Sequence, residues 1–337
     1  MRPIGEFELI ALFTREFPAA GGGVVVGIGD DAAVLRPPAG ELLLATVDAV
    51  VVGVHFGRAF APEDVGWKAL AVNLSDVAAM GGRPLWALVA LATPRGEDPD
   101  RLARIARGLA ACAGVHGVKV VGGNVARARQ LSLTVTVLGS VRPDRILRRS
   151  GARAGDALLV SGTLGDAALG LAAGASPALA RRQRRPTPRL ALGRALAGVA
   201  RACIDVSDGL LQDLGHLCRA SGVGASLRLS ELPLSAAYRS AARRLRDPFE
   251  PALSGGEDYE LLAAVPVQRV PEALQAARRA RTPLAVVGSV LPGRRLQLVR
   301  CEGGLRPVRR LGHDHFAAVP RERSLTWAPE DVGSILP

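Results

Sequence analysis

Residues 62–92, PEDVGWKALAVNLSDVAAMGGRPLWALVALA, decide the class of fold. Pro62 suits a first helical turn, and Glu63 and Asp64 follow it where the positive end of a helix dipole favours acid. A helix is therefore expected from Pro62 to Met80, stopped by Gly81 and Gly82. The apolar run at 85–92 comes next and has the length of a strand. On this helix Asn73 and Asp76 are three residues apart and share a face.

The same alternation extends in both directions. Short aliphatic or β-branched runs at 24–28 and 42–47 read as strands, each ending in acid. A helix is expected at 99–115, a strand at 119–121 ending in Gly122 and Gly123, and a half-exposed strand at 131–137, where Ser or Thr alternates with aliphatics. The arginine-rich segment 143–156 then interrupts the pattern. Beyond it come strands at 157–160, 203–206, 259–265, 284–290 and 296–299, with helices from about Asp166, near 190–199, at 208–220 and between the strands at 259–265 and 284–290. The class is α/β (α+β), without an internal repeat. A chain of 337 residues is long for one domain, which places domains at 1–148 and 149–320 and a tail at 321–337.

Composition narrows the functional classes. A hydrophobic share of 48% beside a charged share of 22% is that of a globular chain. The first residues carry acid and no long apolar core, and the richest apolar stretch, 42–54, is broken by Asp48, so neither a signal peptide nor a membrane span is expected. Cys112, Cys203, Cys218 and Cys301 form no CxxC pair, which points to thiols in a reducing, cytoplasmic setting rather than to zinc or a disulfide framework. The net charge of +12 is spread along the chain. Its densest run, Arg181, Arg182, Arg184 and Arg185, lacks interleaved aromatics and reads as a solvated loop, so no specific nucleic-acid partner is expected.

Acids gather at element ends: Asp30 and Asp31 after Gly27-Ile-Gly, Asp48 after Thr46-Val, Asp76 in Asn73-Leu-Ser-Asp, Asp205 and Asp208 in Asp-Val-Ser-Asp, and Glu257 and Asp258 after a Gly-Gly pair. Taken singly, Asp208 could cap its helix and Asp30 could turn the chain. Taken together they call for cations, because two carboxylates ~5 Å apart repel by roughly 3 kcal/mol at an effective dielectric of 20. Magnesium joins one or two carboxylates to substrate phosphates, so dispersed aspartates suit nucleotide-bound magnesium. Neither GxxxxGK[ST] nor a kinase-type GxGxxG followed by a lysine strand is present.

The runs GEFELIALF (5–13), GIGDDAA (27–33), VGVHF (52–56), KALAVNLSDVAAMGGRP (68–84), RSGARAGD (149–156), SGTLGD (161–166), IDVSDGLLQDLGHL (204–217), SGGEDYELL (254–262) and GHDHF (312–316) resemble the thiamine-monophosphate kinase family in order and spacing over nearly the whole chain. The resemblance implies a two-domain fold like that of aminoimidazole ribonucleotide synthetase, with N-terminal domains pairing into a β-barrel in a homodimer. It also implies phosphorylation of thiamine monophosphate by ATP with several magnesium ions. Carried over residue by residue, it makes Asp31, Asp76 and Asp208 the catalytic carboxylates. Asp48 is a further magnesium ligand, with Thr46 and Asp205 in support. Gly123, Asn124, Arg149 and Ser207 are placed at the nucleotide, and His55, Glu257 and His313 at thiamine monophosphate. Three positions depart from the family's pattern: Asn124 stands in place of a carboxylate, Val47 in place of a threonine, and His313 in place of a tyrosine or tryptophan. An asparagine carbonyl can still coordinate magnesium but brings no charge.

Overall fold

The computed structural model describes residues 6–17, 21–57, 60–172, 174–306, 308 and 312. They divide into two compact units. The first runs to Ile146 and takes back Arg184–Leu190; the second comprises Leu147–Gln183 and resumes at Ala191.

The first unit contains α1 (Glu6–Thr14), β1 (Val24–Val26), β2 (Val34–Leu35), β3 (Leu42–Val51), α2 (Pro62–Ala79), β4 (Arg83–Thr93), α3 (Pro99–His116), β5 (Lys119–Arg127) and β6 (Ser132–Val141). The four-stranded sheet has the order β3-β6-β4-β5, with β4 and β5 parallel and the other pairs antiparallel. α2 packs on β3, β6 and β4, and α3 on α2 and β5. α2 is buried over most of its length and α3 along one face, and they cross closely because small residues meet there: a Cβ on Gly66 would overlap the Ile105 carbonyl, and one on Gly108 the Glu63 carbonyl. α3 starts at Asp98, whose side chain accepts the Asp100 N–H at 3.1 Å, and ends at Gly117 with φ 69°.

The expected end of β5 at Gly122 and Gly123 is corrected by the structure, since the strand continues to Arg127. A Cβ on Gly123 would overlap the Val89 carbonyl, and the β4–β5 register shifts between Ala87 and Leu88. The glycines allow two backbones to approach; they do not break the strand.

The second unit contains β7 (Ala157–Ser161), α4 (Asp166–Gly170), α5 (Pro177–Arg184), α6 (Leu190–Leu196), β8 (Ala202–Val206), α7 (Leu210–Ser221), β9 (Gly224–Arg228), α8 (Ala236–Ala242), α9 (Glu250–Ser254), β10 (Glu260–Val265), α10 (Val270–Arg279), β11 (Leu284–Leu291), β12 (Leu296–Val299) and β13 (Leu305–Arg306), the ends of α5 and α6 at Arg184 and Leu190 belonging to the first unit. Its seven-stranded sheet has the order β13-β12-β9-β11-β7-β10-β8. β7, β8 and β10 are buried along their whole length, the acids Asp205 and Glu260 included. A core of Leu158, Ile204, Leu214, Leu227, Tyr238 and Leu262, among others, fixes the helices on it.

Two further expectations are corrected here. The arginine run is not a solvated loop: Pro177 opens α5, Leu179 and Gln183 four residues apart form its buried face, and Arg182 donates to Glu260 at 2.5 Å. Within the first unit, Arg185 pairs with Asp64 and lies 5.6 Å from the Trp67 ring, and Arg184 lies 5.4 Å from the Phe60 ring. The helix expected from Asp208 begins at Leu210 with Gly209 as its N-cap, because the carboxylate that caps it lies inside it, at Asp213. No helix among the described residues is long and apolar enough to cross a membrane. Cys112, Cys203 and Cys218 are buried free thiols and Cys301 is exposed; burial pushes Cys203 and Cys218 up to about 12, so they stay protonated.

Candidate active site

In the first unit, Thr46 and Asp48 stand two residues apart on β3 and so on one face of the strand. Asp76 lies near the end of α2, and Thr46 Oγ1 donates to Asp76 Oδ2 at 2.5 Å, which ties strand to helix at an acid. Asn73, one turn earlier, is fully buried; its Nδ2 donates to the Ala69 carbonyl at 3.0 Å. His55 sits in the turn after β3, where its Nδ1 accepts the Val51 N–H at 3.2 Å. A neutral ring bonded in this way carries its proton on Nε2, leaving that edge as a donor. The buried ammonium of Lys68 donates to the His55 carbonyl at 3.0 Å and fixes the turn.

Asp31 is exposed on the glycine loop that follows β1, with its N–H donated to Asp30 Oδ1 at 2.9 Å. A cavity of about 990 Å³ is lined by residues 27–33, by Gly122, Gly123 and Asn124 of β5, by Leu88–Leu91 of β4 and by Phe13 and Phe17. The first unit thus brings Asp31, Gly123 and Asn124 to one cavity, and Thr46 to Asp76. Asp48, His55 and Asp76 do not line that cavity.

In the second unit, Asp205 is buried on β8 opposite Leu261 of β10, and the chain turns at Ser207, Asp208 and Gly209 into α7. One oxygen, Asp213 Oδ2, accepts the N–H groups of Ser207, Asp208 and Gly209, each at 3.1 Å. Burial, aided by the charges of Asp205 and Asp208, pushes the Asp213 carboxyl up to about 8. Gln212 Nε2 donates to Asp208 Oδ2 at 3.2 Å.

The Gly-Gly-Glu-Asp segment is threaded against this turn. Glu257 N–H donates to the Ser207 carbonyl at 2.7 Å and Tyr259 N–H to the Val206 carbonyl at 2.8 Å. A Cβ on Gly256 would come 2.5 Å from the Ser207 carbonyl oxygen, so only glycine fits there. Glu257 (φ 65°) and Tyr259 (φ 51°) are held in the left-handed region, a strain typical of functional sites. Between them Asp258 accepts the Gly165 N–H at 2.7 Å at the start of α4, and burial pushes its carboxyl up to about 8. Gly312 packs on the Asp208 carbonyl and Gln212, while His313, the next residue, lies outside the described residues. The exposed Arg149 sits near α7: its charge helps depress His216, after burial and Arg219, and its carbonyl accepts from Ser221 Oγ at 3.2 Å. Asp205, Ser207, Asp208 and Glu257 are therefore assembled within one unit.

Asp213 and Gln183 are not marked by the sequence, and Arg182 reads there as solvated. An acid in the first turn of an expected helix was a usable sign for Asp213. The two α5 residues had none, because that helix was read as a loop.

The family description "AIR synthase related protein, N-terminal domain" matches residues 29–141, and its C-terminal counterpart matches 153–300. The thiamine-monophosphate kinase of Salmonella typhimurium is 42% identical over 274 residues, which cover 78% of this chain and 83% of that protein. The chain belongs to the thiamine-monophosphate kinase family. A thiamine-monophosphate kinase from Stenotrophomonas maltophilia K279a superposes with a TM-score of 0.77 at 39% identity, covering 87% of this chain and 94% of that one. The structure of AaThiL complexed with AMPPCP and TMP superposes with a TM-score of 0.74 at 34% identity, covering 93% and 97%. Of the candidate residues of this kinase, Asp31, Asp48 and Asp76 fall in the range matched by the N-terminal AIR synthase related domain and Asp205, Asp208 and Glu257 in that of its C-terminal counterpart, while Arg149 and His313 lie outside both.

The residues present suit magnesium. The side chains at issue, from Thr46, Asp76, Asp205 and Asp208, offer oxygen only, the donor type a hard cation takes. Burial first, and after it the charges of Asp205 and Asp208, raise the Asp213 carboxyl, and a cation at the turn would relieve that second contribution. Among the described residues no three or more His, Cys, Asp or Glu side chains cluster closely enough to hold a metal alone.

Proposed function

We propose that this chain transfers the γ-phosphoryl group of ATP to the phosphate of thiamine monophosphate, yielding thiamine diphosphate and ADP. The observation that carries this reading is the similarity over 93% of the chain to a protein solved with AMPPCP and TMP, joined to the chain's membership of the kinase family. A terminal oxygen of the acceptor phosphate forms a bond to the γ-phosphorus, and the bond to the β–γ bridging oxygen breaks toward ADP. The acceptor is already anionic at neutral pH, so positioning and charge stabilisation dominate over base catalysis.

Asp31, Thr46, Asp48, Asp76, Asp205 and Asp208 would hold magnesium, which when bound neutralises phosphate charge. The chain's own groups do the rest. Gly123 and Asn124 line the cavity from β5 and serve the nucleotide there, together with Ser207 and Arg149. His55 presents its Nε2–H to an acceptor oxygen. Glu257, fixed in the left-handed conformation, faces the cationic thiazolium or the aminopyrimidine, with His313 at the ring.

The active form in this reading is a cytoplasmic homodimer with domains at 1–148 and 149–320 and a tail at 321–337. Support for the dimer comes from β3, an edge strand that exposes Leu42 (49%), Leu43 (55%) and Val47 (58%). The test is incubation of purified protein with magnesium, ATP and thiamine monophosphate, followed by phosphorus NMR. A thiamine diphosphate signal that requires all three additions is expected. ATP consumption without that product would refute the assignment.

A further inference from the structure

We propose that Gln183 is a positioning residue for thiamine monophosphate: its side-chain amide holds the Glu257 carboxylate in the orientation that receives the acceptor. This deepens the kinase reading and rests on the placement of Glu257 at that substrate.

Gln183 Nε2 donates to Glu257 Oε2 at 3.1 Å, and Gln183 is only 1% exposed. The Glu257 backbone is already immobilised, with its N–H on the Ser207 carbonyl and φ at 65°. The backbone does not by itself set the side-chain rotamer, which a hydrogen-bond partner selects. Gln183 supplies that partner from a helix and not from a loop.

The helix is itself locked. The neighbouring Arg182 donates to Glu260 at 2.5 Å, a carboxylate with no solvent exposure, and lies 4.0 Å from Asp166. On the other side Gly170 leaves room for α5: a Cβ there would stand 3.1 Å from Gln183 Cβ and overlap the Leu179 carbonyl. Arg182 therefore sets where α5 sits, and Gln183 transmits that setting to Glu257.

The experiment uses the full chain and four variants: Gln183→Glu, Gln183→Leu, Glu257→Gln, and the swap Gln183→Glu with Glu257→Gln. For each, KM for thiamine monophosphate and for ATP, the calorimetric Kd for thiamine monophosphate and the melting temperature are measured. Gln183→Glu and Gln183→Leu should raise KM and Kd for thiamine monophosphate roughly tenfold, the equivalent of one lost hydrogen bond to a charged group, with KM for ATP unchanged. The swap rebuilds an amide–carboxylate pair, so it should recover the melting temperature without recovering thiamine monophosphate affinity, because the carboxylate now stands at position 183.

A purely structural Gln183 would give a different result. The two KM values would move together, or the swap would restore affinity along with stability, and either outcome overturns the proposal. So does a thiamine monophosphate Kd unmoved in both Gln183 variants while Glu257→Gln weakens it. Wild-type protein that binds thiamine monophosphate but forms no thiamine diphosphate refutes the kinase reading, and the Kd series still decides Gln183. Wild-type protein that does not bind thiamine monophosphate refutes both.

Discussion

Around Asp213, one carboxylate oxygen gathers the N–H groups of Ser207, Asp208 and Gly209; around Asp76, the contact is a side-chain hydroxyl, Thr46 Oγ1, reaching from strand to helix. The second unit shapes its acidic turn through the backbone, so its geometry is set before any ligand arrives. The first unit leaves Asp31 and Asp48 exposed and joins Asp76 to β3 through a side chain. Preorganised dipoles serve a reaction whose barrier is mostly electrostatic, while exposed acids suit ions that enter with the nucleotide.

That contrast can be broken experimentally. The largest effect should come from Asp213→Ala, which leaves three backbone donors at a buried turn without their acceptor. At ~1–3 kcal/mol for each unsatisfied group, stability should fall by several kcal/mol in a denaturant titration, with turnover falling in the fraction that remains folded. A loss no greater than that of an ordinary surface substitution would show that the turn holds without Asp213.

Gly123→Val comes next. The side chain must displace the Val89 carbonyl of the paired strand, at a cost of roughly 1–3 kcal/mol or more for overpacking, and it should also weaken ATP binding. Unchanged stability and ATP affinity would mean that β4 and β5 separate easily.

The second unit's buried charge also predicts a pH dependence. Burial raises the Asp258 carboxyl from 3.8 to about 8, so the folded protein holds a proton that the unfolded chain releases. Stability from this group is complete below the unfolded value and is lost as pH rises through about 8. The melting temperature should decline from about pH 4 to about pH 8, level off above that, and decline less steeply in Asp258→Asn. An identical slope in the variant would exonerate Asp258. The smallest effect is reserved for Thr46→Val, about 1 kcal/mol in stability, with the magnesium concentration for half-maximal rate rising more than the stability falls. If Thr46→Val proved as damaging to folding as Asp213→Ala, the two units would not differ in the way described.

The parts of the fold that were legible in the sequence obey local rules. Pro62, the acids behind it and the Gly81-Gly82 stop mark α2 to within a residue, and Pro99 marks α3. Where tertiary contact overrides local preference, the reading slipped. Gly122 and Gly123 look like a strand end until β4 is seen pressing on them, and Arg182, Arg184 and Arg185 look solvated until Glu260, Phe60, Asp64 and Trp67 are found to receive them. The site shows the same division. Asp205, Ser207, Asp208 and Glu257 stand out because glycines and acids cluster at element ends, and the structure assembles them. Asp213 and Gln183 act from within helices, where acid and amide side chains are ordinary, and only the distances reveal their partners.

The most direct measurement is to follow ATP labelled at its γ-phosphorus in a reaction with thiamine monophosphate and magnesium. The account predicts that the label appears in the terminal phosphate of thiamine diphosphate, and that omitting thiamine monophosphate abolishes its transfer. Label recovered on the protein, as inorganic phosphate alone, or equally on unrelated acceptors would contradict it.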